Sequence, residues 1–195
     1  KNLMMNNDIL MSRNELVQFL RKPADQFTSE DIVRFIEAKG IRMLNFRYAA
    51  GDGKLKSLNF VPYSRDHLVS ILTSGERVDG SSLFSFIEAG SSDLYVMPRY
   101  RTAFVNPFTQ TPTLEVLCSF YTSEGRPLES SPEYILRKAI TRFTASTGYT
   151  IRALGELEYY VRSASEALYP LFDQKGYHQS KPFAKFEDLR VEALE

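Results

Sequence analysis

An α+β fold is the expectation for this chain of 195 residues. Two short apolar runs flank the turn Gly51-Asp52-Gly53, as they do in a β-hairpin. Capped helical segments stand among further strand-like runs. The strict alternation of strand and helix that marks a doubly wound parallel sheet is missing. With 43% hydrophobic and 25% charged residues the composition is globular, and it can fill the core of one domain of this length or of two small ones.

The elements follow in order. Ile9, Leu10, Leu16, Val17, Phe19 and Leu20 lie at nearly helical spacing and predict an N-terminal helix over residues 8–20, stopped at Lys22-Pro23. Thr28 and Ser29 precede the acids Glu30 and Asp31, an N-cap for a second helix whose stripe of Ile32, Val33, Phe35 and Ile36 runs to Gly40. The hairpin comprises residues 41–48 and 55–61. A short helix is predicted over 64–72, ending near Gly75, and 75–92 is rich in Gly and Ser without regular period. Strands are predicted at 94–97, 101–105 and 113–121, with Pro98, Pro107 and Pro112 in the turns between them. The turn residues Ser123 to Pro127 read as a domain linker. Ser131-Pro132-Glu133 then opens a helix to Gly148, because Pro suits the first helical position. Residues 150–161 read as a strand, followed by a loop and a final amphipathic segment containing Phe183, Phe186, Leu189, Val191 and Leu194.

Twenty-four Lys and Arg balance 24 Asp and Glu. That leaves no basic footprint for nucleic acid or for an anionic membrane. The apolar runs fall far short of the roughly 20 residues of a membrane span. The single cysteine, Cys118, cannot form an internal disulfide, and nothing at the start resembles a signal region, so a soluble cytoplasmic protein is expected. Cys118 sits in the apolar run Leu114 to Phe120 and reads as a buried, inert thiol. His67 and His178 are too few and too far apart for a zinc site of the usual spacing. Because the chain starts at Lys1 and ends at Glu195 inside a helical pattern, it is expected to be a piece of a longer protein.

Two motifs could carry chemistry. In Gly155-Glu156-Leu157-Glu158-Tyr159-Tyr160, a strand would place Glu156 and Glu158 on one face, about 6.5 to 7 Å apart along the chain. Paired carboxylates suit a hard divalent cation, although alternating Glu on an exposed strand face is also ordinary. In Val78-Asp79-Gly80-Ser81-Ser82, Asp and Ser either close a turn on their own backbone or present a carboxylate and a hydroxyl to a cationic substrate.

Taken together and in order, these segments resemble the glutamine synthetase family. Val78-Asp-Gly-Ser-Ser82 is similar to its Asp-Gly-Ser-Ser loop, Ser92-Asp-Leu-Tyr-Val-Met-Pro98 to its Ser-Asp-Met segment ending in Met-Pro, and Asn106-Pro-Phe108 to the Pro-Phe that follows. Thr113-Leu-Glu-Val-Leu-Cys118 is similar to the strand that usually ends in Cys-Asp. Gly155 to Tyr160 takes the place of Gly-Pro-Glu-x-Glu-Phe-Phe. Lys175-Gly-Tyr177 and Asp188-Leu-Arg190 match what comes shortly after. The resemblance spans nearly all of residues 28–195.

It implies a β-grasp N-terminal domain followed by the truncated beginning of an α/β catalytic domain, so that residues 1–24 are a leading helical segment, 25–127 the β-grasp domain and 128–195 the start of the catalytic domain. It also implies ATP-dependent ligation of ammonia to the side-chain carboxylate of glutamate through an acyl phosphate, with Mg²⁺ or Mn²⁺ neutralising charge on the transferred phosphoryl group. By motif match Glu156 and Glu158 each ligate a metal. Asp79 binds ammonium and helps remove its proton, and Ser82 and Tyr177 line the same cation site. The loop bearing Asp79 completes the active site of a neighbouring subunit, so the full enzyme is a homo-oligomer of stacked rings. The remaining ligands and the ATP and glutamate pockets lie beyond Glu195, and the chain alone is expected to be inactive.

Three positions depart from the family pattern: the Pro before Glu156 is absent, Met-Pro-Asp reads Met97-Pro98-Arg99, and Cys-Asp reads Cys118-Ser119. A ligase that joins glutamate to another amine, or a member that keeps the fold as a structural or interaction module, are the alternatives. The joint presence of Asp79, Ser82, Glu156, Glu158 and Tyr177 speaks against the second, because a scaffold has no need of those side chains together.

Overall fold

A computed structural model describes residues 9–88, 92–164 and 179–194. They fall into two units, Lys1–Ile151 and Arg152–Glu195.

The first unit is α+β, as expected. Residues 9–11 are helical, but the helix restarts as α1 (Glu15–Leu20) instead of running through. The cause is Asn14, whose Oδ1 accepts the N–H groups of Leu16 (2.8 Å) and Val17 (3.4 Å) and so caps a new helix. α2 (Ser29–Lys39) opens on a reciprocal cap: Thr28 Oγ1 accepts the Asp31 N–H, and Asp31 Oδ2 accepts the Thr28 N–H at 2.8 Å. The hairpin forms as β1 (Met43–Ala49) and β2 (Leu55–Phe60), followed by α3 (Arg65–Ser74).

The Gly- and Ser-rich stretch holds more structure than its lack of period suggests. β3 (Glu76–Asp79) runs straight into a helical turn, α4 (Gly80–Leu83). Gly75 makes the corner into β3 at φ +71°, where an added Cβ would lie 2.5 Å from the Val96 carbonyl oxygen. β4 (Asp93–Pro98) pairs with β3. The third expected strand shrinks to β5 (Phe104–Val105), since Tyr100–Thr102 form a 3-10 turn. β6 (Thr113–Thr122) is the longest strand.

The sheet order is β2-β1-β6-β4-β3, with β5 also on β6. β6 lies parallel to β1 through residues 113–117 and antiparallel to β4 through residues 118–122. One face is apolar: Leu44, Phe46, Leu94, Val96, Leu114, Val116 and Phe120 are buried there and join the buried stripes of α1, α2 and α3 in one core. α5 (Pro132–Thr147) begins at buried Ser131, whose Oγ accepts the Tyr134 N–H at 3.3 Å, and its side chains Ile135, Leu136, Ile140 and Phe143 are exposed.

The strand expected at residues 150–161 is not formed. Residues 150–164 have no regular secondary structure, and Leu157 is 89% exposed. A strand needs a ladder partner for its N–H and C=O groups, and none pairs with this segment among the described residues. In the second unit the amphipathic segment forms α6 (Glu187–Leu194), preceded by a turn in which Glu187 Oε2 accepts the Lys181 N–H at 2.6 Å. No helix among the described residues is long and apolar enough to cross a membrane.

Candidate functional site

Asp79 ends β3, and the chain turns at once into α4. Two features set that turn. Phe84, immediately after α4, is buried in an edge-to-face cluster with Tyr48 (5.9 Å) and Phe120 (5.1 Å), which pins the far end of the loop to the core. Gly80 pins the near end. Its N–H donates to the Ser92 carbonyl at 2.6 Å, and a Cβ there would stand 2.8 Å from that oxygen and 2.7 Å from Leu94 Cδ1. No side chain fits such an approach, so this position of the motif calls for glycine.

The Asp79 carboxylate is exposed but fully engaged. Oδ1 accepts the Ser81 N–H at 3.0 Å and the Ser81 hydroxyl at 2.7 Å, while Oδ2 accepts the Ser82 hydroxyl at 2.8 Å. Hydrogen bonds from the hydroxyls of Ser81, Ser82 and Ser92 hold the carboxyl well below the usual carboxylate range. Beside it lies an open cleft of about 290 Å³, lined by Gly51, Asp52 and Lys56 of the hairpin and by Ser81, Ser82, Leu83 and Ser85. Asp79 and Ser82 are thus in direct hydrogen-bond contact. The hairpin turn on the other side of the cleft, with Asp52 and Lys56, is a neighbour that the motif did not announce.

Glu156 and Glu158 are both exposed, on a segment without strand pairing, so no sheet face fixes their direction. They belong to the second unit. Among the described residues no group of three or more His, Cys, Asp or Glu side chains gathers in the manner of a metal centre. The donor chemistry of the pair still fits a hard divalent cation, since both are carboxylates two positions apart, and two such ligands are a partial set. Tyr177 and His178 lie outside the described residues.

Of the departures, Arg99 gives its charge to Glu133 at the start of α5 (3.5 Å), and Ser119 Oγ is buried without a hydrogen-bond partner. Cys118 is buried, and burial pushes its thiol up to about 12, in keeping with an inert role.

Sequence reasoning passed over the polar centre of the sheet. Glu115 is fully buried on the face opposite the apolar core and accepts Arg47 Nε (2.5 Å), Asn106 Nδ2 (2.6 Å) and Asn45 Nδ2 (3.0 Å). Asn59 donates in turn to Asn45 at 2.7 Å. Asn45 and Arg47 alternate with Leu44 and Phe46 on β1, and that period of two was the available signal.

A sheet of this topology with an Asp-Gly-Ser-Ser loop off its edge strand β3 is that of a β-grasp domain. The family model described as glutamine synthetase, beta-Grasp domain matches residues 40–123. The chain is 32% identical over 168 residues to the glutamine synthetase of Thermotoga maritima, a match covering 84% of this chain, and 30% identical over 174 residues to that of Staphylococcus aureus, covering 86%. It spans only 37 to 38% of the length of those relatives. The Plasmodium falciparum glutamine synthetase structure superposes with a TM-score of 0.54 over 64% of this chain and 24% of that one, at 16% identity, a likeness of fold. The chain belongs to the glutamine synthetase family.

Proposed function

We propose that this chain is the β-grasp domain, residues 25–127, and the start of the catalytic domain, residues 128–195, of an ATP-dependent glutamate–ammonia ligase. The single observation that supports this most is the Asp79 loop: an ionised carboxylate with two serine hydroxyls on it, beside an open cleft, held by a glycine that sterics require.

The chemistry assigns the parts. A carboxylate resists attack by nitrogen, so ATP first converts the glutamate side chain to an acyl phosphate, which ammonia then displaces. Bound Mg²⁺ or Mn²⁺ supplies charge neutralisation at the transferred phosphoryl group. Glu156 and Glu158 are the residues of this chain that would hold it. Asp79 attracts ammonium, and Ser82 accepts a hydrogen bond from it through its lone pairs. The depressed proton affinity of Asp79 keeps it ionised, which suits holding the cation. Tyr177 is read by motif as a third wall of this pocket.

In this reading the Asp79 loop of one subunit serves the carboxylates of its neighbour, so the enzyme is a homo-oligomer. A cytoplasmic location fits the unpaired thiol of Cys118. The test is glutamine formation by the full-length protein from glutamate, ammonium, ATP and Mg²⁺, with primary amines tried in place of ammonium. Ammonium-dependent synthesis that falls by about 10² or more in Asp79→Asn is expected, as for loss of one charged group in the transition state. Turnover unaffected by Asp79→Asn would reject the assignment.

A further inference from the structure

The two walls of the cleft differ in chemistry. On the α4 wall the Asp79 carboxylate spends its acceptor directions within the chain, on the Ser81 N–H (3.0 Å), the hydroxyls of Ser81 (2.7 Å) and Ser82 (2.8 Å), and the side chain of Ser92. The hairpin wall carries Lys56, the only cationic residue among the described residues that line the cleft. Its Nζ stands 3.8 Å from Asp52 Oδ2, an ion pair too long for a hydrogen bond, and Asp52 shares its charge with Lys54 at 3.9 Å. Lys54 and Lys56 against Asp52 leave this turn one positive charge in excess. Among the described residues no hydrogen bond engages the three N–H donors of Lys56. The walls are also tied together through the core. Lys56 lies opposite Tyr48 in the β1–β2 register, and Tyr48 packs edge-to-face on Phe84, the residue after α4, at 5.9 Å. The backbone of Lys56 is thereby fixed relative to the Asp79 loop, while its ammonium is half-exposed.

We infer that Lys56 is a specificity-determining residue of this cleft, whose ammonium donates to an oxyanion of the substrates, the side-chain carboxylate of glutamate or a phosphoryl oxygen of ATP. An oxyanion needs donors, and the rest of the lining has few to give. The carboxylate of Asp52 donates none, and the hydroxyls of Ser81 and Ser82 already give their protons to Asp79. A lysine suits this place because its compact charge turns three donors toward whichever oxygen arrives.

The inference rests on the ligase reading and names the substrate group that the hairpin meets; steady-state kinetics of the full-length protein separates the two. Lys56→Met removes the donor and should raise the KM for glutamate or for ATP about tenfold, with the KM for ammonium unchanged. A rise for glutamate alone identifies the carboxylate as the partner, and a rise for ATP alone identifies a phosphoryl oxygen. Lys56→Arg keeps a cationic donor and should stay near wild type. The gap between wild type and Lys56→Met should narrow as salt is raised to about 0.5 M, because a half-exposed charge is screened. Lys54→Met is the control: Lys54 pairs with the same aspartate but does not line the cleft, and its loss should leave all three KM values alone. Lys56 makes no hydrogen bond and is half-exposed, so folding is not at stake. Unchanged KM values for glutamate and ATP in Lys56→Met would overturn the inference alone. So would an equal rise in Lys54→Met, which is the mark of net charge at large, or a rise in all three KM values together, the mark of general damage. A wild-type protein without ammonium-dependent glutamine synthesis would overturn the ligase reading as well.

Discussion

Glu115 sits where β1, β5 and β6 meet, and its removal should be costly in a way that depends on pH. In the wild type its two oxygens satisfy three donors, from Arg47, Asn106 and Asn45. Glu115→Ala leaves a partly buried guanidinium and two amides without their acceptor, a loss of about 3–5 kcal/mol for a broken buried pair. Glu115→Gln keeps the shape but turns one acceptor into a donor facing other donors, about 2 kcal/mol. Burial alone would raise the Glu115 pKa, yet the bonds from Arg47, Asn106 and Asn45 outweigh it and hold it below the ordinary value. A group whose folded pKa is depressed stabilises the fold above its unfolded pKa, about 4.3, and loses that contribution as the pH falls through the folded value. Urea unfolding of wild type and Glu115→Gln at pH 7 and at successively lower pH checks this. The gap between them should be widest near neutrality and close below about pH 4. Equal stability at pH 7, or a gap that widens in acid, would refute the reasoning.

Gly80→Ala should destabilise the domain by about 1–3 kcal/mol, the cost of overpacking, because the carbonyl of Ser92 it would strike is fixed by the Gly80 N–H itself; circular dichroism during thermal unfolding would show it as a lowered Tm, and an unchanged Tm would contradict the close approach. Cys118, buried and with its thiol raised to about 12, should react with a disulfide reagent at pH 8 only as fast as the domain opens, so the rate should follow unfolding by urea; prompt labelling of native protein would count against it.

The parts of the fold that local chemistry decides were legible in the chain. Thr28 with Asp31, Ser131 before Pro132, and the Gly51-Asp52-Gly53 turn each satisfy backbone groups within a few residues, so their elements fall where expected. Elements that depend on distant partners were not. β3 has four residues and exists because β4 pairs with it, which no period in Glu76 to Asp79 announces. Residues 150–161 carry a strand pattern, yet the segment has no neighbour to pair with among the described residues. At the site, the Asp79 and Ser82 pairing was legible because their spacing is three residues and the bond is local. The Glu115 cluster joins residues 68 and 70 positions apart in the chain, and Glu115 by itself is a lone charge within the apolar run Leu114 to Phe120.

The shared site proposed here is tested most directly by mixing two inactive full-length variants. Asp79→Asn lacks the loop carboxylate, and a variant with both Glu156→Gln and Glu158→Gln lacks the proposed metal ligands. If one subunit's loop serves its neighbour's carboxylates, equal amounts unfolded and reassembled together should regain glutamine synthesis at about one quarter of the wild-type rate, because a head-to-tail interface brings two intact halves together in that share of sites. Each variant reassembled alone should stay inactive. A mixture as inactive as its components, or a double glutamate variant that turns over normally at saturating Mg²⁺, would contradict the assignment.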